Sequence, residues 1–279
     1  MERLLINRVR LNVEVSGTGP HVLAIHGFTG STATWATLAT AVGKEYTVVA
    51  VDMLGHGASD APRDPKRYSM ERCIEDLEAI LDHLEIERVR WLGYSMGGRI
   101  ALSAAIALPQ RTSGLVAESA SPGLATAEER ASRVQDDEKL AERIEQDGIK
   151  RFVDYWGAIP LFASQARLPA TIRDRLRAQR LRSSPLGLAN SLRGIGTGAQ
   201  PSVHELLSNL AMPTLWIAGK EDAKFAGIAR DMHRLVPGSE MHIVPKAGHA
   251  VHLEQPDDFN QAVLGFLRER KPVSSQVQG

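Results

Sequence analysis

Short apolar runs and amphipathic segments alternate along the first part of the chain. Four apolar runs have the length of strands that are buried on both faces, at residues 22–25, 47–51, 89–92 and 114–117. Segments with helical spacing of their apolar positions separate these runs, at residues 33–42, 70–84 and 99–108. Regular alternation of strand and helix is typical of a parallel sheet covered by helices. The pattern therefore predicts an α/β fold with a mostly parallel, doubly wound sheet.

The chain departs from this pattern at its beginning and in its middle. Residues 4–6 and 9–15 alternate apolar and polar positions around a short break, which predicts an antiparallel hairpin with one buried face. Residues 123–199 are rich in Arg, Glu, Gln and Ala and contain no convincing strand pattern. We interpret this segment as an inserted helical cap.

Strand and helix patterns return after the cap. The predicted strands are residues 213–218 and 240–244, and the predicted helices are residues 225–235 and 256–270. The pattern thus divides the chain into an α/β core, a cap and a tail that we expect to be flexible. Their predicted limits are residues 1–122 and 200–271 for the core, 123–199 for the cap and 272–279 for the tail.

A glycine-flanked serine joins one predicted strand to the next predicted helix. The sequence from Gly93 to Gly98 reads Gly-Tyr-Ser-Met-Gly-Gly, and it places Ser95 at the strand-to-helix turn. A G-x-S-x-G sequence in this context is typical of a nucleophile elbow, in which a strained turn holds the serine oxygen in a cleft. The motif predicts Ser95 as the reactive residue, although an ordinary glycine-rich turn has the same short signature.

A serine needs a base and an acid before it can react, and both have candidates after later strands. Asp222 follows the predicted strand 213–218, and His249 follows the strand 240–244. The order serine, acid, histidine is that of α/β-hydrolase enzymes. The histidine would accept the serine proton, and the acid would fix the histidine tautomer. Glu221 remains an alternative acid, and His252 is the rival of His249.

An oxyanion site is predicted in the loop after the strand 22–25. This loop has the sequence His26-Gly27-Phe28-Thr29-Gly30. The backbone N–H of Phe28, together with that of Met96 after the serine, would converge on a developing negative charge. We expect His26 to order the loop by hydrogen bonding rather than to take part in the chemistry.

A second polar loop, residues 52–59, follows the predicted strand 47–51. Its glycines favour a structural turn, and a metal site at Asp52 and His56 is the alternative. The glycine-rich segments elsewhere lack the strand-to-helix context of a dinucleotide site. We therefore predict neither a metal nor a cofactor.

Composition narrows the possible partners. The 279 residues include 33 Lys or Arg and 33 Asp or Glu, so there is no basic excess of the kind that binds nucleic acid. The single cysteine, Cys73, excludes an internal disulfide. The sequence has no secretory signal pattern and no apolar run of membrane-spanning length. We expect a cytoplasmic protein, monomeric or weakly homo-oligomeric, without nucleic-acid binding or membrane insertion.

Taken in order, the oxyanion loop, the serine motif, the acid and the histidine resemble those of the α/β-hydrolase superfamily over residues 1–122 and 200–271. The scaffold alone is compatible with many reactions. The cap narrows them, because its sequence is similar to that of the MenH family of menaquinone biosynthesis. The similar segments are residues 121–133, 152–162, 180–182, 187–193 and 196–202, together with 221–225 around the acid.

This resemblance implies a lyase that eliminates pyruvate from a cyclohexene carrying three carboxylates. Ser95, relayed to His249 and Asp222, would abstract a ring proton. The substrate-binding residues implied are Tyr94, Arg99, Arg133, Trp156 and either Arg180 or Arg182. Arginines suit this task because their fork binds carboxylates in a bidentate manner. A carboxylesterase or C–C bond hydrolase with the same triad is the alternative, and a non-catalytic ligand-binding protein is the third reading.

Overall fold

The structure is a computed structural model that describes residues 2–269. The predicted tail, residues 272–279, lies outside the described residues, as do the last residues of the predicted core. An eight-stranded sheet runs through the molecule in the order β1-β2-β4-β3-β5-β6-β7-β8. The strands are β1 Glu2–Ile6, β2 Val9–Gly17, β3 His21–Ile25, β4 Thr47–Val51, β5 Val89–Tyr94, β6 Thr112–Glu118, β7 Thr214–Gly219 and β8 Glu240–Val244.

The predicted fold class is confirmed. Strands β1 and β2 form the antiparallel hairpin, β2 pairs antiparallel with β4, and every other pairing in the sheet is parallel. All five residues of β4 are buried, as expected for a strand with helices on both faces. Separate apolar clusters pack on the two faces of the sheet, and Trp91 and Trp35 are among their largest fully buried side chains.

Nine α-helices are described. They are α1 Ala36–Val42, α2 Met70–His83, α3 Met96–Ala107, α4 Ala127–Gly157, α5 Ala170–Leu181, α6 Pro185–Ile195, α7 Ala223–Leu235, α8 Val251–Glu254 and α9 Pro256–Glu269. The five that are predicted as separate segments differ from the prediction mainly at their ends, whereas α8 is not predicted. Helix α3 begins at Met96, three residues before the predicted start, because the turn at Ser95 passes directly into the helix. None of the helices within residues 2–269 is long and apolar enough to cross a bilayer.

Residues 123–199 form helices joined by loops and contain no strand. Helix α4 starts with a capping box in which Thr126 and Glu129 satisfy each other's backbone amides, and it kinks at Gly148, whose φ is 74°. Phe152 of α4 and Leu188 of α6 belong to a separate apolar cluster, and Phe28 of the core packs against it. The limits of the cap at residues 123 and 199 stay a prediction.

The strand order determines which loops meet. Strand β3 lies between β4 and β5, so the loops that leave β3 and β5 at their carboxyl ends are neighbours. Such a switch point is where open α/β sheets place their ligands. The loops after β7 and β8 end at the same edge, because these strands run parallel to β5 and β6.

Candidate active site

Ser95 occupies a strained turn between β5 and α3. Its φ is 53° and its ψ is −110°, a conformation that residues with a side chain rarely adopt. The flanking glycines permit the turn, because a Cβ on Gly93 would lie 2.1 Å from the carbonyl oxygen of Gly97. The Ser95 N–H donates to the carbonyl of Glu118 in β6, 2.8 Å away. The turn therefore holds the Ser95 hydroxyl at the edge of the sheet.

Ser95, His249 and Asp222 form a continuous hydrogen-bonded chain. The distance from Ser95 Oγ to His249 Nε2 is 2.9 Å, and that from His249 Nδ1 to Asp222 Oδ2 is 2.7 Å. Asp222 is also the N-cap of α7, where its Oδ1 accepts the Phe225 N–H at 3.2 Å. With its Nδ1–H donated to a carboxylate, His249 presents an Nε2 lone pair that can accept the Ser95 proton. This geometry suits a serine–histidine–aspartate triad.

The two alternative residues are engaged elsewhere. Glu221 is exposed and forms an ion pair with Arg167, with 2.6 Å between the carboxylate and the guanidinium. The His252 ring donates through Nδ1 to the buried carboxylate of Glu118, at 2.8 Å. His252 thus packs beneath the catalytic loop, and its partner is a carboxylate that the sequence analysis did not consider.

The predicted oxyanion donors lie beside the serine. Met96 is the first residue of α3, so its N–H has no acceptor within the helix. Within residues 2–269, the Phe28 N–H also makes no hydrogen bond to the protein. The loop that carries it is fixed by His26, whose Nδ1 lies 2.7 Å from the Gly27 oxygen and whose Nε2 accepts the Met53 N–H at 3.0 Å. Both amides remain available to an anionic oxygen.

Asp52 and His56 fill structural positions under this loop. Asp52 accepts hydrogen bonds from the Asn12 side chain and from the backbone of Thr32 and Ala58, at 2.6 to 2.9 Å. The His56 ring packs 5.0 Å from that of His26, and its Nδ1 lies 3.2 Å from the Leu54 oxygen. Residues 2–269 contain no group of three or more His, Cys, Asp or Glu arranged to hold a metal ion.

Burial keeps both of these histidines neutral. Desolvation lowers the pKa of His56 from 6.5 to about 3, and the neighbouring His26 lowers it further in the same direction. The pKa of His26 is also lowered, again mainly by burial. A neutral His26 is what the loop requires, because its Nε2 must keep a lone pair to accept the Met53 N–H.

A cavity of about 230 Å³ opens above the triad, between core and cap. Four of the predicted substrate-binding residues line it, namely Tyr94, Arg99, Arg133 and Trp156. The lining also includes Ser95, His249, Phe28 and Met96. Lys224 and Phe225 line it as well, and the sequence analysis did not select them as site residues. Their position soon after Asp222 is the feature of the sequence that could have identified them as site residues.

The charged residues that line the cavity are cationic. Arg99, Arg133 and Lys224 contribute side chains to the lining, and no carboxylate does so in the described part of the chain. Arg99 is 8% exposed, and burial, followed by the charge of Arg133, lowers its pKa to about 10. It remains a cation at neutral pH. The cavity is therefore suited to an anionic ligand.

The other two predicted arginines lie outside this cavity. Arg180 is buried behind Phe162, with its guanidinium carbon 5.1 Å from the centre of that ring, and it lines a neighbouring cavity of about 40 Å³. Phe162 and Tyr94 line both cavities. Arg182 follows the last residue of α5, is exposed and does not line this cavity. Of the pair that sequence left unresolved, Arg180 is the nearer to the site.

Aromatic rings enclose the catalytic histidine. The ring centres of Phe225 and Tyr94 lie 4.6 and 5.4 Å from that of His249. Burial, with the charge of Glu118, holds the pKa of the Tyr94 hydroxyl well above its usual range, so this group stays protonated. Trp156 and Phe162 continue the wall on the cap side, with 5.8 Å between their ring centres.

The sequence and the structure both resemble known proteins over nearly their full length. Residues 20–256 match the family described as the alpha/beta hydrolase fold. A putative 2-succinyl-6-hydroxy-2,4-cyclohexadiene-1-carboxylate synthase of Bacillus subtilis is 47% identical over 91% of this chain and 93% of its own. The synthase of Serratia proteamaculans is 32% identical over 89% of this chain and 93% of its own.

Among solved structures, MenH from S. aureus superposes with a TM-score of 0.89 at 33% identity, covering 94% of this chain and 99% of its own. A thermophilic esterase from Thermogutta terrifontis superposes with a TM-score of 0.87 at 26% identity, covering 98% of this chain and 100% of its own. On these similarities, the chain belongs to the alpha/beta hydrolase family and, within it, to the 2-succinyl-6-hydroxy-2,4-cyclohexadiene-1-carboxylate synthases.

Proposed function

We propose that this enzyme eliminates pyruvate from 2-succinyl-5-enolpyruvyl-6-hydroxy-3-cyclohexene-1-carboxylate in menaquinone biosynthesis. One observation carries the proposal beyond the family relationship. A connected serine–histidine–aspartate chain faces a cavity to which the described residues contribute three cations and no carboxylate. A substrate with three carboxylates matches this lining, whereas a neutral ester would leave buried positive charge without a partner.

The first step is removal of the ring proton next to the succinyl ketone. As His249 Nε2 takes the hydroxyl proton, Ser95 Oγ accepts the proton from carbon, and the electron pair of the C–H bond is shared with the ketone oxygen as an enolate. The ring double bond shifts, and the C–O bond to the enolpyruvyl group breaks. The group leaves as an enolate, which becomes pyruvate when its carbon gains a proton. Loss of the proton from His249 restores the triad. Serine acts as a base, and no acyl-enzyme forms.

Negative charge develops on the ketone oxygen during proton removal. The N–H groups of Phe28 and Met96 have no protein acceptor in the described chain and lie beside the serine, so we assign them this oxygen. Such preorganised donors typically contribute about 3 kcal/mol each to transition-state stabilisation. On the other side, Asp222 stabilises the imidazolium that His249 becomes.

The carboxylates are assigned to the arginines. Arg99 and Arg133 lie in the cavity, and Tyr94 and Trp156 form its walls. Arg180 would reach a ligand only past Phe162, and a role for Arg182 would require the end of α5 to move. We therefore assign binding to Arg99 and Arg133, and we rank Arg180 above Arg182 as a third contact.

The balanced charge of the chain supports the absence of nucleic-acid binding. The enzyme acts on a small molecule. We propose that it does so in the cytoplasm, as a monomer or a weak homo-oligomer, without nucleic acid and without a cofactor.

The test is release of pyruvate from the authentic substrate, measured with a coupled dehydrogenase. We expect turnover by the wild type and a loss of at least about 10³-fold in kcat for Ser95→Ala, since the base is removed. Ser121→Ala is the matched control, because Ser121 lines the same cavity and, within residues 2–269, forms no hydrogen bond to the triad. Equal activity of wild type and Ser95→Ala would contradict the proposal.

A carboxylesterase is the second candidate, favoured by the complete triad and by the structural similarity to the thermophilic esterase. The same samples decide between them. Rapid hydrolysis of short p-nitrophenyl esters without pyruvate release from the pathway intermediate would reverse the ranking.

A further inference from the structure

Arg99 is a buried cation whose hydrogen-bond partners are neutral. Its Nη1 donates to the carbonyl of Ile195 at 2.9 Å and to Gln200 Oε1 at 2.7 Å. Within residues 2–269, no carboxylate lies within ion-pair distance of its guanidinium, although the charge of Asp137 acts on it from farther away. Burying a cation without a counter-ion is costly, so a counter-ion is expected beside Arg99 unless the ligand supplies it.

Arg133, in the same cavity, is held in the opposite way. It is half-exposed, and its Nε donates to the buried carboxylate of Asp137 at 2.8 Å. The more exposed cation therefore has a full counter-ion, and the more buried one has none. A buried cation needs a counter-ion more than an exposed one does, so burial alone would favour a carboxylate beside Arg99 rather than beside Arg133. The difference indicates that the neutral amide of Gln200, in place of a carboxylate, has a functional role.

Gln200 is built into the site as a fixed part. It has no exposed surface, and its Nε2 has no acceptor in the described chain. Nearby, the Gly198 N–H donates to Asp137 Oδ2 at 3.2 Å, which ties the segment after α6 to the residue that holds Arg133. Gln200 does not line the cavity. It can act on a ligand only through Arg99.

We propose that Gln200 is a specificity-determining positioning residue, which fixes Arg99 through a neutral oxygen and so reserves the charge of Arg99 for a carboxylate of the ligand. Glutamate has the same shape as glutamine and would place an anion at 2.7 Å from Arg99 Nη1. That anion would compete with the substrate for the same cation. The inference deepens the proposed function and rests on it for the identity of the substrate.

The decisive variant is Gln200→Glu, compared with the wild type for pyruvate release. We expect KM to rise between about 10-fold and about 100-fold, the range for loss of a charged hydrogen bond, while kcat stays within about threefold. The melting temperature should stay the same or rise, because Arg99 gains a partner. Gln110→Glu makes the same charge change on an exposed turn far from the site and should leave KM unchanged.

Gln200→Met separates positioning from charge. It removes the hydrogen bond without adding an anion, so KM should rise at least about fivefold but less than in Gln200→Glu. If Gln200→Glu does not fold, this variant alone decides. A KM equal to that of the wild type in either folded variant would overturn the inference, as would a fall in kcat with unchanged KM.

Calorimetric binding of tricarballylate distinguishes failure of the inference from failure of the proposed function. Suppose that neither the wild type nor any variant releases pyruvate, but Gln200→Glu binds this tricarboxylate at least about 10-fold more weakly than the wild type. The proposed reaction then fails and the inference stands. If pyruvate is released and Gln200→Glu matches the wild type in KM and in affinity, the inference fails alone. If the wild type binds neither the pathway substrate nor tricarballylate, both the proposed function and the inference are overturned.

Discussion

The site has two sides that differ in their hydrogen bonding, a core side formed by the catalytic triad and an arginine side where the core meets the cap. On the core side, Ser95, His249 and Asp222 satisfy one another through hydrogen bonds of 2.7 and 2.9 Å. Toward the cap, the buried guanidinium of Arg99 has only neutral partners, and that of Arg180 forms no ion pair in the described chain. The catalytic groups are connected before a ligand arrives, whereas the two buried arginines, Arg99 and Arg180, still lack an anionic partner within residues 2–269.

This difference has a physical basis. A triad can be preorganised at little cost, because each donor meets an acceptor within the protein. A buried carboxylate-binding cation such as Arg99 cannot be completed in the same way, since an internal counter-ion at that position would compete with the ligand. Changes on the core side should therefore lower kcat, and changes among the arginines should mainly raise KM.

The largest effect is expected for Asp222→Asn. The amide would no longer hold the His249 tautomer with its Nε2 free for Ser95, and kcat should fall by about 10⁴-fold with little change in KM. Glu221→Gln is the matched control, since Glu221 pairs with Arg167 on the surface. Steady-state pyruvate release measures both. If Glu221→Gln instead caused the larger loss, the acid would be assigned wrongly.

An intermediate effect is expected for Arg133→Ala. Loss of one charged contact to a carboxylate should raise KM between about 10-fold and about 100-fold and leave kcat within a few-fold. Arg182→Ala serves as the control, because Arg182 is exposed and lies outside the cavity. A drop in kcat for Arg133→Ala without a change in KM would remove the distinction between the two sides of the cavity.

The sequence was more informative about the core than about the cap. Strand and helix periodicity predicted the sheet, because buried parallel strands and amphipathic helices leave local patterns. Ser95 and His249 are predictable because each lies in the loop after the carboxyl end of a strand, at an edge that the fold brings together.

The cap arginines could not be separated in the same way. Arg180 and Arg182 are two residues apart, and which one is buried depends on how α5 ends and packs, which no local pattern encodes. The pairing of Gln200 with Arg99 was also invisible, because it joins residues about a hundred positions apart in the chain. Lys224 and Phe225 are not among the predicted site residues, although they lie close to Asp222 in the sequence and line the cavity.

The smallest effect is expected for the acid stability of the core loops. His56 has a pKa of about 3 in the folded protein and 6.5 when unperturbed, so between these values the unfolded chain binds a proton that the folded protein excludes. Stability is therefore fully present above about pH 6.5 and falls as the pH drops, by up to about 1.4 kcal/mol per pH unit from this residue.

His56→Gln should remove this contribution and flatten the decrease in unfolding free energy between pH 6 and pH 4, as measured by urea titration. His83→Gln, at an exposed position of α2, should leave the slope as it is. His26 is lowered in the same direction, so part of the slope should persist in His56→Gln. An unchanged slope in His56→Gln would mean that the oxyanion loop tolerates a charged histidine beneath it. The polar groups on the core side would then be less completely paired within the protein than the comparison with the arginine side implies.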